Sequence, residues 1–158
     1  VGRLDKQSEG LLLMTNEGDF VNKIMRAGNR HEKEYLVTVH KTVTDAFLQA
    51  LADGVPILGT MTRKCRVERT GKRSFRMILT QGMNRQIRRM CEYFDYRVVS
   101  LKRVRIMNIH LGDLPSGACR MVTPEELKRL EQLLEGSSND TVRFAASSMD
   151  QQLWEEEQ

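Results

Sequence analysis

Cysteine is scarce in this 158-residue chain, with only Cys65, Cys91 and Cys119. Their odd number and wide spacing, with no CxxC pair and no histidine close by, exclude a disulfide framework or a zinc finger as the organising device. Reduced thiols in a core are the expectation. The three histidines, His31, His40 and His110, show no metal-ligand spacing, so each is read as a satisfied or exposed imidazole. No apolar run approaches the roughly 18 residues that a membrane span needs, and no signal-peptide pattern opens the chain. These absences point to the cytoplasm. There is also no internal repeat and no low-complexity tract, so a single domain with one core is expected at this length and at 40% hydrophobic composition.

What the chain has in excess is positive charge, unevenly placed. The formal net charge is +4, yet residues 137–158 hold five acids against one base, which leaves +8 on residues 1–136. A basic folded part suits a polyanionic partner such as nucleic acid, although a merely soluble basic domain has the same average. The segment beyond Gly136 is acidic, carries serine and glutamine and lacks periodicity. It reads as a flexible tail.

Along the chain, strand and helix patterns alternate. Leu11 to Thr15 is a short apolar run closed by Asn16-Glu17-Gly18, expected as a buried strand that ends in a turn. Asp19 is placed to cap a helix with Phe20, Val21, Ile24 and Met25 on one face and Gly28-Asn29 as its stop. Tyr35 to His40 alternates as a strand, with Tyr35, Val37 and Val39 on one side. A helix runs from Thr44 to Gly54, and strands near Thr62–Glu68 and Ser74–Thr80 are joined through Thr70-Gly71-Lys72. Val98 to His110 reads as one or two strands whose Lys102, Arg103 and Arg105 extend a basic surface. Thr123-Pro124-Glu125-Glu126 is a capping box opening a structural helix through Leu127, Leu130 and Leu134.

Two stretches carry chemistry. The helix after Gly82 divides into an apolar stripe, Ile87, Met90, Cys91 and Phe94, and an opposite one with Arg85, Arg88, Arg89 and Glu92. A helix start attracts anions, so three arginines gathered there imply that they reach toward phosphate or a carboxylate; a solvated charged face is the plain alternative. Near the start of the chain, Asp5 lies between Arg3 and Lys6, and neighbouring cations favour the carboxylate form that attacks or accepts a proton. On local sequence alone, a turn aspartate bonding its own backbone explains Asp5 equally simply.

Resemblance separates these readings. Gly2-Arg3-Leu4-Asp5 followed by Ser8, Gly10-Leu11, Thr15-Asn16 and Gly18 resembles the catalytic signature of the pseudouridine synthases. Lys33-Glu34-Tyr35-Leu36-Val37 and Gln81 to Met90 match further motifs in the same order. The likeness runs from residue 1 to about residue 136 and is greatest to the bacterial ribosomal RNA branch of that family. It implies an α+β fold in which a mixed, mostly antiparallel sheet is flanked by helices. It also implies conversion of uridine to pseudouridine in large-subunit (23S) ribosomal RNA, with a stem-loop of that RNA as partner, a transfer RNA as a second candidate substrate, and a monomer. The chain opens on Val1, inside the signature. Relatives carry upstream a small basic RNA-binding domain and a first catalytic segment, so residues 1–136 are read as an N-terminally truncated catalytic domain.

The resemblance assigns roles residue by residue. Asp5 corresponds to the catalytic aspartate, which in such enzymes adds to C1′ of the ribose, adds to C6 of the uracil, or removes a ribose proton. Tyr35 matches the tyrosine that stacks on the target base, and Arg88 the cation that holds the aspartate ionised. Leu101 backs the pocket. Arg3, Leu4, Lys6, Arg85, Gln86 and Arg89 stand beside these positions as RNA contacts. No metal or cofactor is called for, since bond breaking and bond making balance. The competing reading is a module that grips structured RNA without chemistry.

Overall fold

The computed structural model describes residues 3–25 and 31–134. Its frame is a six-stranded sheet. Strand β2 (Lys33–Val39) lies between β6 (Ser74–Leu79) and β7 (Val98–Ile106), and β5 (Arg66–Gly71) closes one side as the partner of β6. The other edge of β7 is shared by β1 (Glu9–Gly10), which runs parallel to it, and β8 (Ile109–His110). All remaining pairings are antiparallel. A separate two-stranded ribbon is formed by β3 (Pro56–Ile57) and β4 (Thr60–Met61). The expected mixed, mostly antiparallel sheet of an α+β fold is present.

Register decides which side chains face the site. Tyr35 stands opposite Met77 on one neighbour and Arg103 on the other, and Val37 opposite Phe75 and Leu101. Opposed residues share a sheet face, so Lys33, Tyr35, Val37 and Val39 line up with Phe75, Met77, Leu79, Leu101 and Arg103. An irregularity falls between Glu34 and Tyr35, where Arg105 and Arg103 are the successive partners and Val104 is passed over. This bulge keeps Arg103 beneath Tyr35 while turning Arg105 to the opposite face, where it meets Glu32 at 3.1 Å and Glu34 at 3.7 Å.

Helices complete the core. The first, α1 (Gly18–Met25), is short. Next, α2 (Asp45–Asp53) is bounded as its sequence predicts: the Thr44 hydroxyl accepts from Phe47 N at 3.0 Å and Gly54 ends it at φ 111°. Phe47, Leu48 and Leu51 are buried against Phe75, Met77, Ile87, Met90 and Cys91, joining α2 and α3 (Gln86–Tyr93) to the sheet. Phe47 stacks on Tyr96 with ring centroids 3.7 Å apart. A second cluster unites Leu11, Ile106, Met107 and Ile109 with Leu130 and Leu134 of α4 (Pro124–Leu134). Its capping box closes both ways, Thr123 N on Glu126 Oε1 at 3.0 Å and Glu126 N on Thr123 Oγ1 at 3.1 Å.

Several expectations need correction. Leu11 to Thr15 is not a strand; pairing stops at Gly10, Leu11 alone is buried, and Leu12 and Met14 are exposed. The cause is local: Gly10 sits at φ +118° with its Cα against Arg103, where a Cβ would lie 2.2 Å from Arg103 O, so the chain turns away from the ladder. Asp19 lies within the first turn of α1 rather than capping it. The strand expected from Thr62 begins at Arg66, the β3–β4 ribbon was not foreseen, and the connection after β5 turns at Lys72 and Arg73. Cys91 is buried, whereas Cys119 is exposed rather than in a core. The stop at Gly28-Asn29 and the tail from residue 137 lie outside the described residues.

Candidate active site

Asp5 sits in the loop ahead of β1, and its side chain is only 7% exposed. The loop holds it from within: Gln7 N donates to Oδ1 at 3.1 Å and the Ser8 hydroxyl donates to the same oxygen at 2.6 Å. The local turn reading was thus correct as far as it went. The long-range part comes from α3, where Arg88 Nε donates to Oδ2 at 2.9 Å and Arg88 Nη2 reaches Oδ1 at 3.5 Å and Ser8 Oγ at 3.2 Å. Arg85 Nη1 stands 3.8 Å from Oδ2 and donates to Gln7 Oε1 at 2.9 Å.

Two opposing effects act on the Asp5 carboxyl. Burial, the largest single influence, pushes its pKa up, while the hydrogen bonds from Arg88 and Ser8 and the charges of Arg88 and Arg85 pull it down. The lowering effects win together, so the group stays below its ordinary value and is a carboxylate at neutral pH. A buried carboxylate with two guanidiniums arrayed on it is unusual in a protein surface loop. The ionised form it secures is the one able to attack an electrophilic carbon or to accept a proton.

This carboxylate opens on a cleft of about 130 Å³ walled by the sheet face and by the loop before α3. Tyr35 lines it next to Arg103; burial raises its pKa, against the pull of the Arg103 guanidinium, and the phenol is retained. Arg103 is 1% exposed and fully engaged: Nε donates to Leu11 O at 2.9 Å and Nη1 to Arg3 O at 3.4 Å. It therefore ties β7 to both ends of the Asp5 loop. Leu101, buried and opposite Val37, forms part of the wall, as do Arg3 and Leu4. The loop before α3 is braced by Gln86, whose Oε1 accepts from Met83 N at 3.2 Å, and by Arg89, whose guanidinium folds onto Asn84 O and Oδ1 at 2.9 and 2.6 Å.

The model of the RNA pseudouridylate synthase family matches residues 1–93. The chain belongs to this family. Among curated synthases, it is 58% identical over 140 residues to the dual-specificity RNA pseudouridine synthase RluF of Salmonella typhi, covering 89% of this chain and 48% of that protein. It is 33% identical over 145 residues to the ribosomal large subunit pseudouridine synthase B of Bacillus subtilis, covering 88% and 59%. A solved pseudouridylate synthase superposes with a TM-score of 0.78 at 30% identity, over 82% of this chain and 57% of that one. The chain thus spans about half the length of the RluF relatives it matches.

In this member of the family, the fold brings Asp5, Tyr35 and Leu101 to one cleft with Arg3, Leu4 and Arg85, and Arg88 holds Asp5 from behind; Lys6 is exposed in the turn beside Asp5. Arg88, read as the cation that holds Asp5, is buried and donates to that carboxylate. Gln86 is buried in the wall of the cleft, and its side chain and that of partly buried Arg89 bond to the loop between Gln81 and Arg85. Arg103 was read as basic surface and is a core residue. Ser8 and Lys33 belong to quoted motifs but received no role. Ser8 lies three residues after Asp5 in the same turn, and Lys33 two residues before Tyr35 on the same strand, so their spacing in the chain was a signal that could have found them. Among the described residues no cluster of three or more His, Cys, Asp or Glu is arranged to hold a metal, and no helix is long and apolar enough to cross a membrane.

Proposed function

We propose that the protein to which this chain belongs converts a specific uridine of large-subunit (23S) ribosomal RNA to pseudouridine, with Asp5 as its nucleophile or base. The observation that carries the reading is the Asp5 carboxylate, paired with Arg88 and facing Tyr35 across a cleft. A flipped pyrimidine finds an aromatic partner in Tyr35 and an apolar wall in Leu101, while Arg88 keeps Asp5 ionised and aimed. Arg3, Leu4, Lys6 and Arg85 surround the mouth and receive the RNA strand from which the base is drawn. The names of the similar synthases, one of dual specificity and one of the ribosomal large subunit, support ribosomal RNA as substrate and a second RNA beside it, which we take to be a transfer RNA. The protein acts as a cytoplasmic monomer, and residues 1–136 form part of its catalytic domain.

Tritium release from C5-labelled uridine in a large-subunit RNA transcript tests this, since C5 loses its hydrogen only when the glycosidic bond moves to carbon. The full-length protein is expected to release tritium. Its Asp5→Asn variant should release none while binding the RNA as well or better, because the amide removes a negative charge from a basic surface. Binding without release by either form would sink the reading and favour a non-catalytic RNA-binding module.

A further inference from the structure

Lys33 opens β2, two residues before Tyr35 and on the same sheet face. Its side chain is buried at 6% exposure and lines the Asp5 cleft. The other pocket-lining cations for which partners are placed are already engaged: Arg85 holds Gln7 and Asp5, and Arg103 holds the carbonyls of Leu11 and Arg3. The neighbouring acids on its own strand are turned away. Glu34 lies on the opposite face with Arg105 and Arg76, and Glu32 pairs with Arg105. Among the described residues, no carboxylate stands within ion-pair distance of the Lys33 ammonium. Burial, with Arg103 as a like-charged neighbour, lowers its pKa to about 8, so it is mainly protonated at neutral pH.

Burying a lysine without a carboxylate is costly, and a hydrophobic residue of similar length would fill the same space at less cost. The cation is therefore poised for charge that arrives from outside. The isomerisation proposed above supplies such charge. When the N1–C1′ bond breaks with its electron pair on N1, the detached uracil carries that pair delocalised over O2 and O4. Forming the C5–C1′ bond uses that pair and discharges the anion; C5 then gives up its proton to solvent or a base and N1 takes one up, so the ring ends neutral and the overall change is an isomerisation. We propose that Lys33 is a further catalytic residue of this site, its ammonium donating to a carbonyl oxygen of the flipped uracil and stabilising the anion between bond breaking and bond making. Lys33 forms no covalent bond in this scheme and its own proton stays in place. The proposal rests on the pseudouridine reading.

The test uses the full-length protein, with Lys33→Met filling the space without charge and Lys33→Arg keeping the charge. Three quantities are compared with the parent: the single-turnover rate of tritium release, RNA affinity and the urea midpoint. Lys33→Met is expected to lose about 100-fold in rate, as for removal of one donor to a developing oxyanion. Its RNA affinity should stay within about twofold, its urea midpoint should be unchanged or higher, and Lys33→Arg should recover part of the rate. A parental rate in Lys33→Met would overturn the proposal. So would a rate loss matched by an equal loss of affinity, which would make Lys33 a ground-state contact, or by a lowered midpoint, which would make it structural. No release by the parent itself removes the pseudouridine reading, and this proposal with it.

Discussion

At the scale of single residues, the Asp5–Arg88 pair shows why a buried ion pair is retained. Both side chains are nearly sequestered, at 7% and 9% exposure, so removing one partner strands the other charge at a cost of about 3–5 kcal/mol. The pairing also sets the pH behaviour. Because the folded pKa of Asp5 lies below its ordinary 3.8, the carboxylate contributes stability above that value, and this is lost as pH falls through the folded pKa. Arg88→Met should invert the sign. With its largest counter-charge gone, burial dominates, the pKa of Asp5 rises above 3.8, and stability is lost on moving up in pH through the new value. Activity per folded molecule, followed against pH, should show an acid limb that moves upward in Arg88→Met. An unmoved limb would mean that Arg88 does not govern the ionisation of Asp5.

Among elements, the contact between the Asp5 loop and β7 is the most demanding. β1 contributes only Glu9 and Gly10 to the sheet, yet Leu11 N donates to Arg103 O at 2.8 Å and Arg103 Nε returns a bond to Leu11 O. This reciprocal clasp needs the backbones to touch at Gly10, where φ is +118° and an added Cβ would meet Arg103 O at 2.2 Å and Arg103 N at 2.5 Å. Gly10→Ala should therefore lose at least about 1–3 kcal/mol from the backbone conformation alone, with the clash adding to it, and should slacken the Asp5 loop. A lowered urea midpoint together with a lower turnover rate is expected. Wild-type stability in this variant would show that the close approach is dispensable. Much of the other element structure was legible beforehand. Thr44, Gly54 and the Thr123–Glu126 box bounded their helices through local hydrogen bonds that the chain encodes within a few residues. Leu11 to Thr15 misled because an apolar run records burial, and here Leu11 is buried and Leu13 partly so while Gly10 diverts the backbone from the ladder.

At the level of the whole molecule, the net +8 over residues 1–136 is an electrostatic attraction to RNA that does not depend on base sequence. Binding of an RNA stem-loop should weaken linearly on a plot of log K against log salt, by about 0.9 per duplex phosphate neutralised. Lys6 is exposed beside the cleft, so Lys6→Ala should flatten that slope by about one such unit and leave the rate of the bound complex unchanged. A slope unaffected by this substitution would remove Lys6 from the RNA contacts.

The sequence alone determined the class of the molecule and the local beginnings and ends of several elements. Its motifs also singled out Asp5, Tyr35 and Arg88 as candidate site residues. These are properties of neighbours in the chain: caps, alternation, and residue types in fixed order. What only the tertiary structure decided was where charged side chains point. Helical spacing says that Arg85, Arg88 and Arg89 lie near one another. It does not say that Arg88 meets a carboxylate 83 residues earlier, that Arg89 turns back on Asn84, or that Gln86 is buried. Arg103 and Lys33 were assigned to solvent or left without a role for the same reason. A charge is ordinarily cheaper in water, and its burial is decided by strand register, by one bulge beside Tyr35, and by partners that reach it only when the sheet has closed.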